Sequence, residues 1–291
     1  MRIQRAARAA TLSAGAILAL ACSAQAAPGA GQSTSTDSPD TRGRAVLKAQ
    51  LAALADEHAF MATFADKATV LTPVGCSEVH ESDAGAATAI ASMNPHAEIK
   101  SATFDHFMSG SAGQLAWFAA DLHITVVSHE PENPPSTTNS TVRAIELLDG
   151  AAGWKVTVAA FTSVSKLSKT GTSEIRDITA VGPLTNLLTS PAALADALGD
   201  GAVVYGTDPV ERGLGTADAK ALLARWKSLS VTLDASPKVH EVHGARYSYT
   251  MANLHITLKP GGTQYRVNGF VLALPVAGGK SSVIGASFGA L

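Results

Sequence analysis

Cysteine is nearly absent. The 291 residues contain two, Cys22 and Cys76, and Cys22 falls in a segment that reads as a targeting signal. No intramolecular disulfide framework is available, so an exported chain of this kind must be stable through its cores alone. Cys76 reads as a small apolar filler rather than a nucleophile. Charge is also sparse: Asp, Glu, Lys and Arg make up 16% of the chain and the formal net charge is −2. Nothing in that balance points to nucleic acid or an acidic membrane surface as partner. There is no Gly-rich phosphate loop after a strand, no Gly-x-Ser-x-Gly elbow and no Cys/His pair of catalytic spacing. No Cys cluster and no paired His on a helix marks a metal site. His240 and His243 form H-x-x-H, but on a strand that spacing sends them to opposite faces. The expectation is therefore no metal and no cofactor.

What the chain does contain begins with an export signal. Arg2, Arg5 and Arg8 form a basic region, and an apolar stretch from about Ala9 to Ala21 follows, too short for a membrane span. Ala24-Gln25-Ala26 is an A-x-A site, with cleavage expected before Ala27. Cleavage would remove three of the 22 basic residues and no acid, taking the net charge from −2 to −5. The expected location is outside a bacterial cytoplasm, periplasmic or secreted. Ala19-Leu20-Ala21-Cys22 competes as a lipobox, in which Cys22 would be acylated and the protein anchored in the envelope. Membrane contact is expected only in that case. Ala19 stands where a large aliphatic residue is usual, so the A-x-A reading is favoured.

Residues 27–42 are rich in Ser, Thr, Gly, Pro and Asp and read as a disordered spacer. The 46% hydrophobic content supports two packed domains in a chain of this length. Their strongest mark is a repeat. Trp117-Phe118-Ala119-Ala120-Asp121-Leu122-His123-Ile124-Thr125 returns as Tyr249-Thr250-Met251-Ala252-Asn253-Leu254-His255-Ile256-Thr257. Alternate residues of a strand share a face. Phe118, Ala120, Leu122 and Ile124, with Thr250, Ala252, Leu254 and Ile256, read as a core face. The other face carries Trp117, Asp121 and His123, then Tyr249, Asn253 and His255. It reads as a pocket wall or as the place where two sheets meet.

The elements around each copy follow one order. Ala45 to Ala65, without Gly or Pro, predicts one long amphipathic helix. A short strand over 68–72, a helix over 84–93 and four strands to Val164 complete a first domain over 43–167. A polar linker covers 168–182. A second domain over 183–291 opens with helical pattern interrupted at Ser190-Pro191. There, Leu198 to Val204 matches Phe64 to Val70, and a short helix starts at Thr216, which is expected to cap it. A period near 130 residues means two whole domains.

Val204-Tyr205-Gly206-Thr207-Asp208-Pro209-Val210-Glu211, then Gly215 and a helix through Trp226, resembles a strand-end motif of the SnoaL-like branch of the nuclear transport factor 2-like superfamily. Gly113 to Trp117 and Gly153-Trp154-Lys155-Val156 in the first copy look similar. The resemblance covers about Ala45 to Leu291. It implies an α+β fold of two cone-shaped domains, each a curved antiparallel sheet wrapped around a long N-terminal helix, with an apolar pocket at the open end. It implies as well that a small apolar molecule is the partner, and that the two domains pack on each other as a pseudo-dimer. Isomerase relatives use the Asp of an Asp-Pro-Val stretch as general base. The first copy has Thr72-Pro73-Val74 there, and the second has Asp208-Pro209-Val210. Neither first helix contains the relatives' Tyr, and Arg266 and Asn268 stand on the second copy's third long strand. The catalytic set is incomplete, so the expectation is binding, with Tyr205, Glu211 and Trp226 as further pocket candidates. The alternatives are an enzyme working through Asp208, which otherwise caps its own turn, and an envelope-anchored interaction protein.

Overall fold

The structure is a computed structural model that describes residues 38–54, 56–72, 75–80, 97–129, 134–164, 182–233, 239–257, 263–276 and 280–290. The signal segment with Cys22, the predicted helix over 84–93 and the linker over 168–181 lie outside them. The chain forms two compact units, the first running to Phe161 and the second from Thr162 to Leu291, with residues 75–77 grouped with the second. Among the described residues no helix is long and apolar enough to cross a membrane.

The first unit opens with helix α1 (Pro39–Ala52) and the one-turn helix α2 (Glu57–Met61). The single long helix expected over 45–65 is thus two short ones. The break has a local cause: Asp56 Oδ1 accepts a hydrogen bond from Ala59 N–H at 3.0 Å, an N-cap that starts a new helix. The start also differs, because the spacer ends sooner than its composition suggested. Ser38 accepts from Thr41 N–H at 3.2 Å and Pro39 occupies the first helical position. The buried stripe of α1 is Gly43, Leu47 and Gln50. Gly43 lets the helix approach the sheet closely, since a Cβ there would meet the Phe107 and Phe118 rings at 3.0 Å. Arg42 stacks its guanidinium 3.7 Å from the Trp154 ring centre.

Six strands follow: β1 (Phe64–Thr72), β2 (Gly75–His80), β3 (Ala97–Ala112), β4 (Leu115–Ser128), β5 (Ser136–Asp149) and β6 (Lys155–Ser163). Their order in the sheet is β2-β1-β6-β5-β4-β3. β1 begins at Phe64, four residues before the strand expected over 68–72. The sheet is also not wholly antiparallel, because β1 runs parallel to β6. Phe118, Ala120, Leu122 and Ile124 join the core with Leu47, Phe60, Phe64 and Phe161, as the alternation predicted.

The second unit has α3 (Pro183–Leu188) and α4 (Pro191–Ala197), separated where Ser190 caps α4 by accepting from Ala193 N–H at 3.2 Å. Then come β7 (Leu198–Tyr205), β8 (Arg212–Leu214), α5 (Thr216–Arg225), β9 (Ser230–Leu233), β10 (His240–His243), β11 (Ser248–Thr257), β12 (Gln264–Val276) and β13 (Lys280–Ala290). The sheet runs β10-β11-β12-β13-β7-β8, with β9 also paired to β11. Gly215, at φ +91, is the N-cap of α5, while Thr216 inside the helix donates to the Gly199 carbonyl at 2.6 Å. Thr216 therefore does not cap α5, contrary to the expectation from its sequence position.

The repeat reaches the strand register. In the first unit Phe64 lies opposite Val156 and Val70 opposite Ala159; in the second Leu198 lies opposite Val283 and Val204 opposite Ala286. Both parallel pairs carry an irregularity at the same point. Ala252, Leu254 and Ile256 pack with Leu188, Leu223, Val271 and Phe288 in the second core.

Candidate functional site

Three places hold polar groups where apolar ones would be expected. The first is a slot in the second unit. β7 ends at Tyr205 and the chain reverses through Gly206 to Glu211 into β8. The reversal is fixed by Asp208 Oδ1 accepting from Val210 N–H at 3.0 Å and by the Asp208 carbonyl accepting from Glu211 N–H at 2.9 Å. This geometry folds the Glu211 side chain back over Gly206. Glu211 Oε1 accepts the Trp226 indole N–H at 2.8 Å, and Oε2 accepts Asp208 N–H at 3.2 Å. A Cβ on Gly206 would collide with the Glu211 carboxyl and the Trp226 ring, so the residue must be glycine. Trp226 is held from the other side by Phe288, edge to face at 5.3 Å.

Behind Glu211 lies a cavity of about 60 Å³. It is lined by aliphatic side chains, among them Leu188, Val231 and Ile256, by the Trp226 and Phe288 rings and by Thr207. Glu211 is the one ionisable group among the lining residues. Of the residues singled out from the sequence, Glu211 and Trp226 meet at this slot. Asp208 is exposed and serves the turn. Tyr205 is fully buried, one residue along β7 from Val204, whose side chain joins the second core.

The second place is the interior of the first unit. Gln50 on the buried stripe of α1 donates its Nε2–H to Glu146 Oε2 at 2.9 Å. Glu146 shares its face of β5 with Val142, Ala144 and Leu148, all core residues, and is wholly buried. Burial raises its pKa from 4.5 to about 8, against the opposing effect of the Gln50 bond. Its carboxyl is therefore protonated at neutral pH. Gln50 Oε1 and Glu146 Oε1 are buried without a hydrogen-bond partner among the described residues. Sequence reading missed this pair. Strand alternation alone put Glu146 on the core face, and that was the available signal. The second unit differs, with Val271 opposite Thr250 where Glu146 lies opposite Phe118. Its polar contact is instead between Thr185 and Thr250, 2.8 Å apart. Glu241 on β10 caps α3 there, accepting from Thr185 N–H at 2.8 Å, Leu184 N–H at 3.2 Å and the Thr185 hydroxyl. Burial pushes the Glu241 pKa up, but these donors and His243 outweigh it and hold it below the ordinary value.

The third place is the non-core face of the repeated strand. Trp117 and Asp121 are buried and His123 is half-exposed; Tyr249, Asn253 and His255 are buried. Asp121 lies opposite Arg143 on β5 and opposite Asp105 on β3. The same positions of the second unit pair Asn253 with Asn268.

No protein-family model matches the chain, and no curated protein matches it. Solved structures do. A ketosteroid isomerase-like protein from Erwinia carotovora atroseptica is 14% identical, with a TM-score of 0.28 over 37% of this chain and 85% of its own. A nuclear transport factor 2-like protein with a cystatin-like fold from Novosphingobium aromaticivorans is 10% identical, with a TM-score of 0.28 over 35% of this chain and 69% of its own. A domain of unknown function with a cystatin-like fold from Nostoc punctiforme is 10% identical, with a TM-score of 0.29 over 37% of this chain and 73% of its own.

Proposed function

We propose that this is an exported protein whose second unit binds one small, apolar-bodied molecule in the slot behind Glu211. The observation that carries the reading is a carboxyl group, the one ionisable group of a mostly apolar cavity that Thr207 also lines, clamped by Trp226 and the Asp208 amide. Each carboxyl oxygen accepts one protein hydrogen bond and keeps further acceptor capacity. The ligand accordingly carries one donor, a hydroxyl or an amine, on a narrow apolar body. A volume of about 60 Å³ is the share of roughly two waters, far below the ~300 Å³ of ordinary ligand pockets. Binding therefore widens the slot by repacking aliphatic side chains of its lining, such as Leu187, Leu229 and Val231. The proposal is for binding rather than turnover, because Asp208, in the position of the isomerase relatives' base, is exposed and engaged in its own turn.

The test is fluorescence in a Trp117→Phe/Trp154→Phe background, so that Trp226 alone reports. A graded series of primary and aromatic alcohols should give a saturable response with a size optimum. Val231→Phe, which fills the slot, should abolish it. A flat response across the series, or one that survives Val231→Phe, overturns the reading.

A further inference from the structure

On the first unit's non-core face, four side chains from two strands converge. Asp105 and Asp121 occupy directly paired positions of β3 and β4. Like charges so placed repel. Next to Asp105 the ladder is irregular, with a register shift between Asp105 and Met108. Within that irregularity His106 takes a left-handed backbone, φ +48. In a regular strand neighbours point to opposite faces; the bulge instead aims His106 at the same spot as Asp105. His106 Nδ1 lies 2.6 Å from Asp105 Oδ1 and 3.7 Å from Asp121 Oδ2. His123, two residues beyond Asp121 on the same face, brings Nε2 to 3.0 Å from Asp105 Oδ1. Donor atoms of Asp105, His106 and Asp121 all lie within 4.8 Å of one another.

We propose that Asp105, His106, Asp121 and His123 bind one divalent metal ion of the zinc type. The donor set is two imidazoles and two carboxylates, a set that suits zinc and its transition-metal neighbours. Calcium requires six or more oxygens and magnesium an octahedron of them, which this set does not supply. Bonds of ~2.0–2.1 Å in a tetrahedron place neighbouring donors about 3.4 Å apart. The His106–Asp121 spacing is already close to that, the two shorter contacts open slightly, and His123, which touches Asp105 but lies outside the group of donors within 4.8 Å, closes on the ion as the fourth ligand. The supports expected behind ligands are present. His123 Nδ1 lies 3.3 Å from the Thr141 hydroxyl, which fixes the ring so that Nε2 faces the site. Arg143 Nε sits 3.5 Å from Asp121 Oδ1, leaving Oδ2 toward His106. The two carboxylates outnumber the one guanidinium at the cluster, that of Arg143, which favours a cation there. Asp105, His106 and His123 are about half-exposed and give the ion a way in. The second unit has Asn253 in the place of Asp121, so one site per chain is expected. No metal was legible in the sequence because regular alternation puts Asp105 and His106 on opposite faces.

The experiment uses the full chain, stripped with a chelator and titrated with cobalt(II), then zinc. Expected are visible cobalt bands of tetrahedral intensity saturating at one equivalent and displaced by zinc. His106→Ala and His123→Ala should each weaken binding at least ~10-fold, and Thr141→Val about 10-fold through loss of the support behind His123. Circular dichroism in chelator checks that each variant is folded; should the His variants fail it, Asp105→Asn and Thr141→Val carry the test. Absence of cobalt bands and of zinc heat, meaning a hydrogen-bonded His–Asp network only, overturns the proposal. So does binding that survives the His106→Ala/His123→Ala double variant.

Discussion

Gln50 and Glu146, ninety-six positions apart in sequence, share a buried hydrogen bond of 2.9 Å across the interior of the first unit. Burial of Glu146, only partly offset by that bond, makes the unit's stability depend on pH. Folded Glu146 holds its proton to about pH 8, whereas the unfolded group releases it near 4.5. Between those values folding takes up a proton, so stability is fully present below pH 4.5 and falls as pH rises toward 8. At 1.36 kcal/mol per pH unit the interval corresponds to about 5 kcal/mol. Glu146→Gln keeps the shape and removes the titration. Its melting temperature should vary far less than the wild type's between pH 5 and 8 in calorimetric scans, with the gap widening toward pH 8.

Glu241 has the opposite sign. Its pKa is held below 4.5 in the folded state, so folding releases a proton as the pH drops below the ordinary carboxylate range. The stability it contributes is present above pH 4.5 and is lost on further acidification. Glu241→Gln should unfold at a less acid-dependent midpoint, and its loss should appear in the second unit, which near-ultraviolet circular dichroism of the Tyr247–Tyr249 stack can follow.

Gly206→Ala should be among the most damaging single changes in the second unit. The added methyl cannot coexist with the Glu211 carboxyl and the Trp226 ring. Overpacking of this kind costs about 1–3 kcal/mol. Urea titration should show a reduced midpoint, and the Trp226 spectrum should move toward that of a more exposed indole.

Asp208 separates turn chemistry from catalysis. Asp208→Asn retains a side-chain oxygen for Val210 N–H and should change stability by less than ~0.5 kcal/mol, whereas Asp208→Ala loses that bond at about 1 kcal/mol. Both variants should keep the alcohol response of Trp226.

Intact mass after expression in an exporting bacterium should place the mature N-terminus at Ala27. A lipid-modified Cys22 terminus would show the envelope-anchored form instead.

The sequence was most legible where one physical rule acted alone. Alternation along Trp117 to Thr125 and its copy identified the core face, and Ser190-Pro191 marked the break between α3 and α4. It was least legible where a side chain far away in sequence, or one unusual backbone angle, decided the outcome. The long helix expected over 45–65 fails at Asp56, whose carboxyl caps a second helix. Glu146 reads as an ordinary strand residue until Gln50 is brought beside it. His106 faces Asp121 only because of its left-handed backbone within a bulge. Glu211 is a pocket candidate from the strand-end motif, but the turn that folds its carboxyl back toward Trp226 shows only in the structure.

In each unit the first strand is hydrogen-bonded to the last. Phe64 waits for Val156, and Leu198 for Val283. That closure makes the order of synthesis matter. A ribosome must deliver some ninety residues beyond β1 before its partner exists, and nearly as many beyond β7. Contacts of such long sequence separation fold slowly, because the loop must close before they reward it. A chain arranged in this way completes each sheet only when the final strand of that unit has emerged.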